Sequence, residues 1–207
     1  MVDRRRVGVF GGTFDPPHRG HSIVAEEVME ALALDRLLWV PAAVPPHKRG
    51  RAVTPAEVRR RMVAAAVTNH PGFELCDLEL ARDGVSYTVD TLRELRSANP
   101  GWSLFLVLGA DLLAGFDSWR DPGAIRRMAR LVAISRGATA IPSGSDLFAG
   151  VRRVQVTPVD ISSSEIRRRV AGGKTVSTMV ATQVLSIIES ERLYRASRPH
   201  EPGRRGR

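Results

Sequence analysis

The chain has 207 residues, of which 43% are hydrophobic and 26% are charged, and its formal net charge is +9. That length can bury a proper core, and no apolar run approaches the roughly 20 residues that a membrane-spanning helix needs. The N-terminus MVDRRRVGVF lacks the apolar stretch of a signal peptide, because its charges give way directly to a short strand-like run. These features argue against an integral membrane protein, and we expect a cytoplasmic one.

The positive charge is concentrated at the ends of the chain. Residues 3–6 and 198–207 carry net charges of +2 and +3, which leaves +4 for the body. We expect one domain over residues 1–197 and a disordered basic tail over residues 198–207, whose Pro, Gly and charge content is typical of such extensions. Because aromatic residues make up only 5% of the chain, it lacks the stacking platform of a single-strand binder. A small phosphorylated ligand is favoured over nucleic acid.

Hydrophobic periodicity divides the body into strands and amphipathic helices. In chain order it predicts a strand over residues 6–10, a helix over 22–34, a strand over 37–41, a helix that begins in TPAE, a strand over 73–78, a helix over 88–97, strands over 104–109, 130–135 and 153–157, and helices over 163–171 and 180–190. In TPAE, Thr54 is the expected cap, Pro55 fits the first helical position and Glu57 completes a capping box.

This alternation is typical of the α/β class with a doubly wound parallel sheet and helices on both faces. The two closing helices would add a small C-terminal helical part. In such Rossmann-like folds, ligands bind beyond the carboxyl ends of the strands, where the strand order reverses. The turn after the first predicted strand is therefore the leading candidate for a site.

That turn is the stretch GGTFDPPHRGH, which begins at Gly11. Its glycines do not keep the GxGxxG spacing of a dinucleotide-binding turn. Gly11 and Gly12 allow a tight turn and a close approach of a ligand, and Gly20 leaves room against the backbone. His18 and His21 are three residues apart at the helix start, so both can face one side, where the helix N-terminus favours anions. Although capping histidines alone would explain a helix start, the whole combination favours a polyphosphate.

A second candidate for phosphate binding is the stretch DISSSEIRRR, residues 160–169, at the start of a late helix. Its serines supply hydroxyl groups at the helix N-terminus, and Arg167, one turn further on, can make a forked contact with phosphate. Ser162 and Glu165 could equally form a capping box that needs no ligand. This stretch alone leaves both interpretations open.

Together, the two stretches resemble the signatures of the HxGH nucleotidyltransferase superfamily, whose second signature is an ISSTxIR element. Within it, PPHK at residues 45–48, GVSYTVDTL at 84–92 and GADLLAGFDSW at 109–119 are similar to segments of the nicotinate-nucleotide adenylyltransferase family. The resemblance covers the chain from residue 7 to about residue 194. It implies an enzyme of NAD biosynthesis that adenylates nicotinate mononucleotide with ATP by direct in-line attack, releasing pyrophosphate, with Mg²⁺ carried by the nucleotide phosphates and no metal ligands from the protein.

The resemblance also implies roles for individual residues. The catalytic groups would be His18, His21, Lys48 and Arg167. ATP would be bound by Gly11, Gly12, Thr13, Phe14, His18, Gly20, His21, Ser163, Ser164 and Arg167. Nicotinate mononucleotide would be bound by Lys48, Thr88, Gly109, Asp111, Trp119, Arg120 and Arg136. In this assignment Trp119 stacks on the pyridine ring, while backbone groups of Thr88 and Arg120 meet the nicotinate carboxylate.

Two alternatives remain open. One is another adenylyl- or cytidylyltransferase of the superfamily, such as the phosphopantetheine enzyme, against which the GVSYTVDTL and GAD…W stretches count. The other is a basic regulator that binds nucleotides or nucleic acid without chemistry, which the +9 charge supports. The chain departs from the family's usual residues at Pro17, Arg19 and Ala181. The sequence also leaves open whether the protein forms a homo-oligomer.

Overall fold

The computed structural model describes residues 5–43, 53–82, 84–136 and 150–195. Within these ranges, strands and helices alternate along the chain. The strands are β1 (Arg6–Gly12), β2 (Arg36–Pro41), β3 (Phe73–Leu75), β4 (Ser103–Gly109), β5 (Ala129–Arg136) and β6 (Arg152–Val156). The helices are α1 (Arg19–Leu32), α2 (Ala56–Val67), α3 (Thr88–Ala98), α4 (Ala110–Ala114), α5 (Pro122–Met128), α6 (Ser163–Ala171) and α7 (Thr182–Ser190). The basic tail, residues 198–207, lies outside the described residues, and the domain boundary at residue 197 stays a prediction.

The six strands form one sheet in the order β3-β2-β1-β4-β5-β6, and every neighbouring pair is parallel. The chain winds outward from β1 in one direction through β2, and it resumes on the other side of β1 with β4. The strand order therefore reverses between β1 and β4, and a crevice opens beyond the carboxyl ends of these two strands. The predicted doubly wound α/β fold is confirmed.

The two faces of the sheet bury alternate residues of each strand, as a period of two requires. Val7 and Val9 of β1 lie in a core cluster with side chains of α3 and α5. Phe10 lies on the opposite face, in a second cluster with side chains of α1 and α2. Helices therefore cover both faces, which explains why the central strands are apolar along nearly their whole length.

The predicted C-terminal helical part packs against α2. Met62 of α2 lies in a buried cluster with Ile166 of α6 and with Val184 and Ile188 of α7. This packing brings the start of α6, and with it the DISSSEIRRR stretch, next to the turn after β1. None of the helices within the described ranges is long and apolar enough to cross a membrane.

Some local predictions were wrong. The capping box at Thr54 does not form: Pro55 is the residue before α2, and no side chain caps this helix. Instead, the Thr54 N–H donates to a carboxylate oxygen of Asp15, and the Thr54 carbonyl accepts from Arg59. Helix α1 begins three residues earlier than predicted, and α7 begins at Thr182 rather than at residue 180. Strand β3 is three residues long, and the short helices α4 and α5 were not predicted.

Candidate active site

The turn after β1 is built around the ring of Phe14. A Cβ atom on Gly12 would lie 2.9 Å from that ring, so the glycine makes room for it. Phe14 has a φ of 49°, a left-handed conformation that is costly for a residue with a Cβ. Its ring is 2% exposed and lies 5.1 Å from the His21 ring, so burial offsets the strain. Gly11 has open space above it and remains free to approach a ligand.

The two histidines form one unit at the start of α1. The His18 backbone N–H donates to Nδ1 of His21 over 3.1 Å, and the two rings stack with their centroids 3.7 Å apart. Because Nδ1 of His21 accepts this bond, the hydrogen of the neutral ring is on Nε2. A Cβ atom on Gly20 would lie 3.1 Å from the His18 ring, so the room predicted at Gly20 is taken up by His18.

The two predicted phosphate stretches meet directly. Ser163 donates from its hydroxyl to the Pro16 carbonyl over 2.8 Å, and Arg167 donates from its guanidinium to the Asp15 carbonyl over 2.7 Å. Ser162 accepts from the Glu165 N–H over 3.2 Å and caps α6, so the capping interpretation holds for this serine. Ser163 and Arg167, in contrast, contact the turn after β1, residues 11–21, which we call the histidine turn.

Asp15 is a buried junction in this turn, with 4% of its surface exposed. One carboxylate oxygen accepts from the Tyr194 hydroxyl over 2.7 Å, and the other accepts from the Thr54 N–H over 3.3 Å. Burial, followed by the nearby Asp15 charge, raises the pKa of Tyr194, so its hydroxyl stays protonated and can donate. Sequence reasoning missed Tyr194, because no local pattern marks a contact across 179 residues.

Arg59 was also missed, although it is only 1% exposed. Its guanidinium donates to four backbone carbonyls: those of Thr54 at 2.9 Å, Thr13 at 3.0 Å, Ala42 at 2.7 Å and Ala43 at 2.9 Å. Burial lowers the pKa of Arg59, and the nearby Asp15 opposes this effect. Helical spacing places Arg59 on the same face as the buried Val63, and that position was the available signal.

A cavity of about 550 Å³ opens beyond the carboxyl ends of β1 and β4. Its lining includes Gly11, Gly12, Thr13, Thr88, Trp119 and Arg120, all assigned to the site from the sequence. The indole of Trp119 is half-buried, with its centroid 5.4 Å from that of Phe116, so it packs on the core and also faces the cavity. Core packing and ligand stacking are therefore compatible at this position.

Other predicted residues lie around the rim. The Arg120 guanidinium is 4.7 Å from the centre of the Tyr87 ring and 3.7 Å from the Asp90 carboxylate, so its side chain is engaged on the surface. Asp111 is exposed at the start of α4, close to Gly109 at the end of β4. Arg136 is the last residue of β5. The predicted PPHK stretch, including Lys48, lies outside the described residues.

Glu79 is a buried carboxyl group that lines the same cavity, and sequence reasoning missed it. The Thr91 hydroxyl donates to it over 2.7 Å, and the same hydroxyl accepts from Arg82 over 3.1 Å. Burial raises the pKa of Glu79, which the hydrogen bonds from Thr91 and Ser86 partly oppose. The group helps to hold the segment before α3, which forms one wall of the cavity.

The donor set of the site suits phosphate oxygens. It consists of imidazole, guanidinium and hydroxyl groups together with the N-termini of α1 and α6. Among the described residues, no group of three or more His, Cys, Asp or Glu side chains could hold a metal ion. The Asp15 carboxylate, which belongs to the same turn as the histidines, is already engaged by Tyr194 and Thr54.

Comparison with known proteins identifies the family of the chain. Residues 9–169 match the cytidylyltransferase-like family. The "Probable nicotinate-nucleotide adenylyltransferase" of Shouchella clausii is 40% identical over 190 residues, which cover 92% of this chain and 97% of that protein. The protein of the same name from Symbiobacterium thermophilum is 34% identical over 206 residues, covering 96% of this chain and 99% of that one.

A solved structure shares the fold at low sequence identity. The nicotinic acid mononucleotide adenylyltransferase of Plasmodium falciparum, complexed with NaAD, has a TM-score of 0.73 and 18% identity, covering 92% of this chain and 98% of that chain. The two bacterial relatives match nearly their entire length and have the higher identity. The chain therefore belongs to the nicotinate-nucleotide adenylyltransferase family of cytidylyltransferase-like proteins.

Proposed function

We infer that the protein transfers the adenylyl group of ATP to nicotinate mononucleotide, giving nicotinate adenine dinucleotide and pyrophosphate. The observation that carries this inference is the junction of two features at one crevice. A phosphate-binding turn with stacked histidines lies beside an apolar cavity that Trp119 lines. The first suits the triphosphate, and the second suits a pyridine ring.

The reaction needs no general base. The phosphate of the mononucleotide has a second pKa of about 6 and is ionised at pH 7, so it can attack directly. One of its oxygens forms a bond to the α-phosphorus of ATP, while the bond from that phosphorus to the bridging oxygen of the β-phosphate breaks in line. Pyrophosphate leaves with the electron pair. The protein's task is to position the reactants and to stabilise the charge that develops on the leaving group.

The histidine unit supplies directed donors for that charge. With its Nδ1 engaged by the His18 N–H, His21 presents Nε2–H as a donor of fixed orientation. The stack with His18 and the packed ring of Phe14 restrict rotation of the imidazole. Such preorganised donors cost no rearrangement during the reaction.

Arg167 adds guanidinium donors to the site, while Ser163, whose one O–H is engaged by the Pro16 carbonyl, anchors the start of α6 beside the histidines. Both side chains bond to carbonyls of the Asp15-Pro16 segment, so they are held beside the histidine turn before any ligand binds. A guanidinium has five N–H groups, and Arg167 uses one nitrogen for Asp15 and another for Ser164. The remaining donors suit the phosphates of ATP.

The pyridine end would lie in the cavity. The first N–H groups of a helix have no partner within the helix, and α3 begins at Thr88 on the cavity wall. These groups suit the nicotinate carboxylate, while the face of Trp119 suits the ring. Contacts of Asp111 with ribose, and of Lys48 and Arg136 with phosphate, are proposed from the family resemblance.

We also propose that Mg²⁺ enters on ATP. When bound, it would neutralise charge on the phosphate oxygens, as is usual for Mg²⁺ that keeps several water ligands. The groups around the two histidines donate hydrogen bonds, which suit the phosphate oxygens, so we expect the ligands of the ion to come from the nucleotide and water. A cytoplasmic location and self-association stay predictions.

A panel of acceptors tests this proposal. The full chain is incubated with ATP and Mg²⁺ and with nicotinate mononucleotide, nicotinamide mononucleotide or phosphopantetheine, and pyrophosphate release is measured. We expect the highest kcat/KM with nicotinate mononucleotide. A higher value with phosphopantetheine would favour the alternative transferase, and no release with any acceptor would favour a binding protein without chemistry.

A further inference from the structure

The chain returns to the histidine turn after its last helix. Tyr194 lies 25 residues beyond the part that matches the cytidylyltransferase-like family, which ends at residue 169. Its hydroxyl nevertheless donates to Oδ1 of Asp15 over 2.7 Å. Tyr194 has a φ of 61°, a left-handed conformation that is unfavourable for a side chain with a Cβ. An unfavourable backbone that delivers a buried hydrogen bond suggests a specific task.

The Tyr194 hydroxyl belongs to a small buried network that also includes the Thr54 side chain. Its ring packs against the cluster formed by α2, α6 and α7, and its oxygen lies 3.9 Å from the Met62 sulfur. The accepting Asp15 is 4% exposed, so water has little access from that side. Removing the hydroxyl would leave a buried carboxylate oxygen without its donor.

Asp15 connects this bond to the phosphate-binding groups. Its carbonyl accepts from Arg167, and the next carbonyl, that of Pro16, accepts from Ser163. Fixing the Asp15 carboxylate therefore fixes the two carbonyls that orient the arginine and the serine. A second contact ties the same regions together, because the Arg19 N–H donates to the Met179 carbonyl over 2.8 Å.

We propose that Tyr194 is a positioning residue, which holds the Arg167 guanidinium for ATP through its hydrogen bond to Asp15, with Ser163 fastening the same segment. The inference rests on the proposed function, because it assigns these groups to ATP. Tyr194 itself touches no reacting atom. It extends the phosphate-binding machinery to the C-terminal end of the described chain.

The test replaces the hydroxyl and keeps the ring. In Tyr194→Phe, we expect the Kd for ATP with Mg²⁺, measured by calorimetry, to rise about tenfold, because Arg167 would lose its fixed orientation toward the phosphates. The KM for nicotinate mononucleotide should change less than twofold. The control Ile188→Val loosens the same cluster but keeps the hydroxyl, so it should lower the Tm without changing the Kd for ATP.

A second background shows whether Tyr194 acts through Arg167. If it does, Tyr194→Phe should weaken ATP binding far less in an Arg167→Met background than in the wild type, since the group it positions is gone. Equal losses in both backgrounds, or equal behaviour of Tyr194→Phe and Ile188→Val, would overturn the proposal. If ATP binding follows the expected pattern but the wild type forms no dinucleotide, the positioning role stands and the proposed function fails.

Discussion

The backbone N–H of His18 points at Nδ1 of His21, 3.1 Å away, and the two imidazoles stack on each other. The bond fixes which nitrogen of His21 can donate, and the stack fixes the direction of the donor. Because the same contact caps the start of α1, the helix begins where the phosphate-binding groups are needed. The same hydrogen bond therefore both caps α1 and orients the His21 side chain in the site.

Replacing His21 by alanine should remove a charge-stabilising donor without unfolding the protein. We expect kcat to fall by about 10²- to 10³-fold, the usual cost of losing one preorganised donor. The rate of pyrophosphate release at saturating ATP and nicotinate mononucleotide gives kcat, and calorimetry measures the Tm. His70→Ala is the matched control, because His70 also stacks on a ring, that of Phe73, outside the crevice. A near wild-type kcat for His21→Ala would contradict the site.

Trp119→Ala should affect one substrate selectively. Stacking of a base on an aromatic side chain contributes about 1–3 kcal/mol, so we expect the KM for nicotinate mononucleotide to rise about tenfold or more. The KM for ATP should change little. Trp102→Ala is the control, because Trp102 packs on the same core cluster without lining the cavity. Equal increases in both KM values would count against stacking on the pyridine ring.

Arg59→Met should destabilise the fold. Four backbone carbonyls would lose a charged donor, and we expect the free energy of unfolding to fall by about 3 kcal/mol or more in urea titrations. The neighbouring Arg60, which makes exposed ion pairs with Asp77 and Glu57, provides the control. If Arg59→Met and Arg60→Met had similar small effects, the buried guanidinium would not be the anchor that its contacts indicate.

Glu79 should make the stability depend on pH. Burial raises its pKa in the folded protein above the ordinary 4.5, so the folded state holds this proton more tightly than the unfolded state. The contribution of Glu79 to stability is therefore greatest in acid and declines as the pH rises above about 4.5 toward the raised value. Relative to wild type, Glu79→Gln should gain stability over that interval in denaturant titrations. A difference that stays constant between pH 4.5 and pH 7 would exclude this role.

The predictable parts of the fold were those with a local signal. Strand β1 and the histidine turn follow from a short apolar run, glycines and a helix start, all within 16 residues. The doubly wound parallel sheet followed from the alternation of elements, whereas the order of its strands comes from the structure. Helices α4 and α5 are five and seven residues long, too short for an amphipathic period to emerge.

The less predictable parts of the site depend on distant partners. Thr54 has the residue type of a helix cap, yet its backbone groups bond to Asp15 and Arg59 instead. Arg59 lies in a run of three arginines that suggests a solvated surface. Tyr194 meets Asp15 only because α7 packs on α2. Only the folded chain shows these three contacts.

The fate of the phosphate oxygens of nicotinate mononucleotide tests the central claim most directly. The mononucleotide is labelled with ¹⁸O at the three nonbridging oxygens of its phosphate and is incubated with ATP, Mg²⁺ and the full chain. Mass spectrometry then locates the label. Direct attack on the α-phosphorus predicts that all the label appears in nicotinate adenine dinucleotide, one atom as the new bridge, and none in pyrophosphate. Label in pyrophosphate, or cleavage of ATP with the labelled mononucleotide left unchanged, would contradict the account.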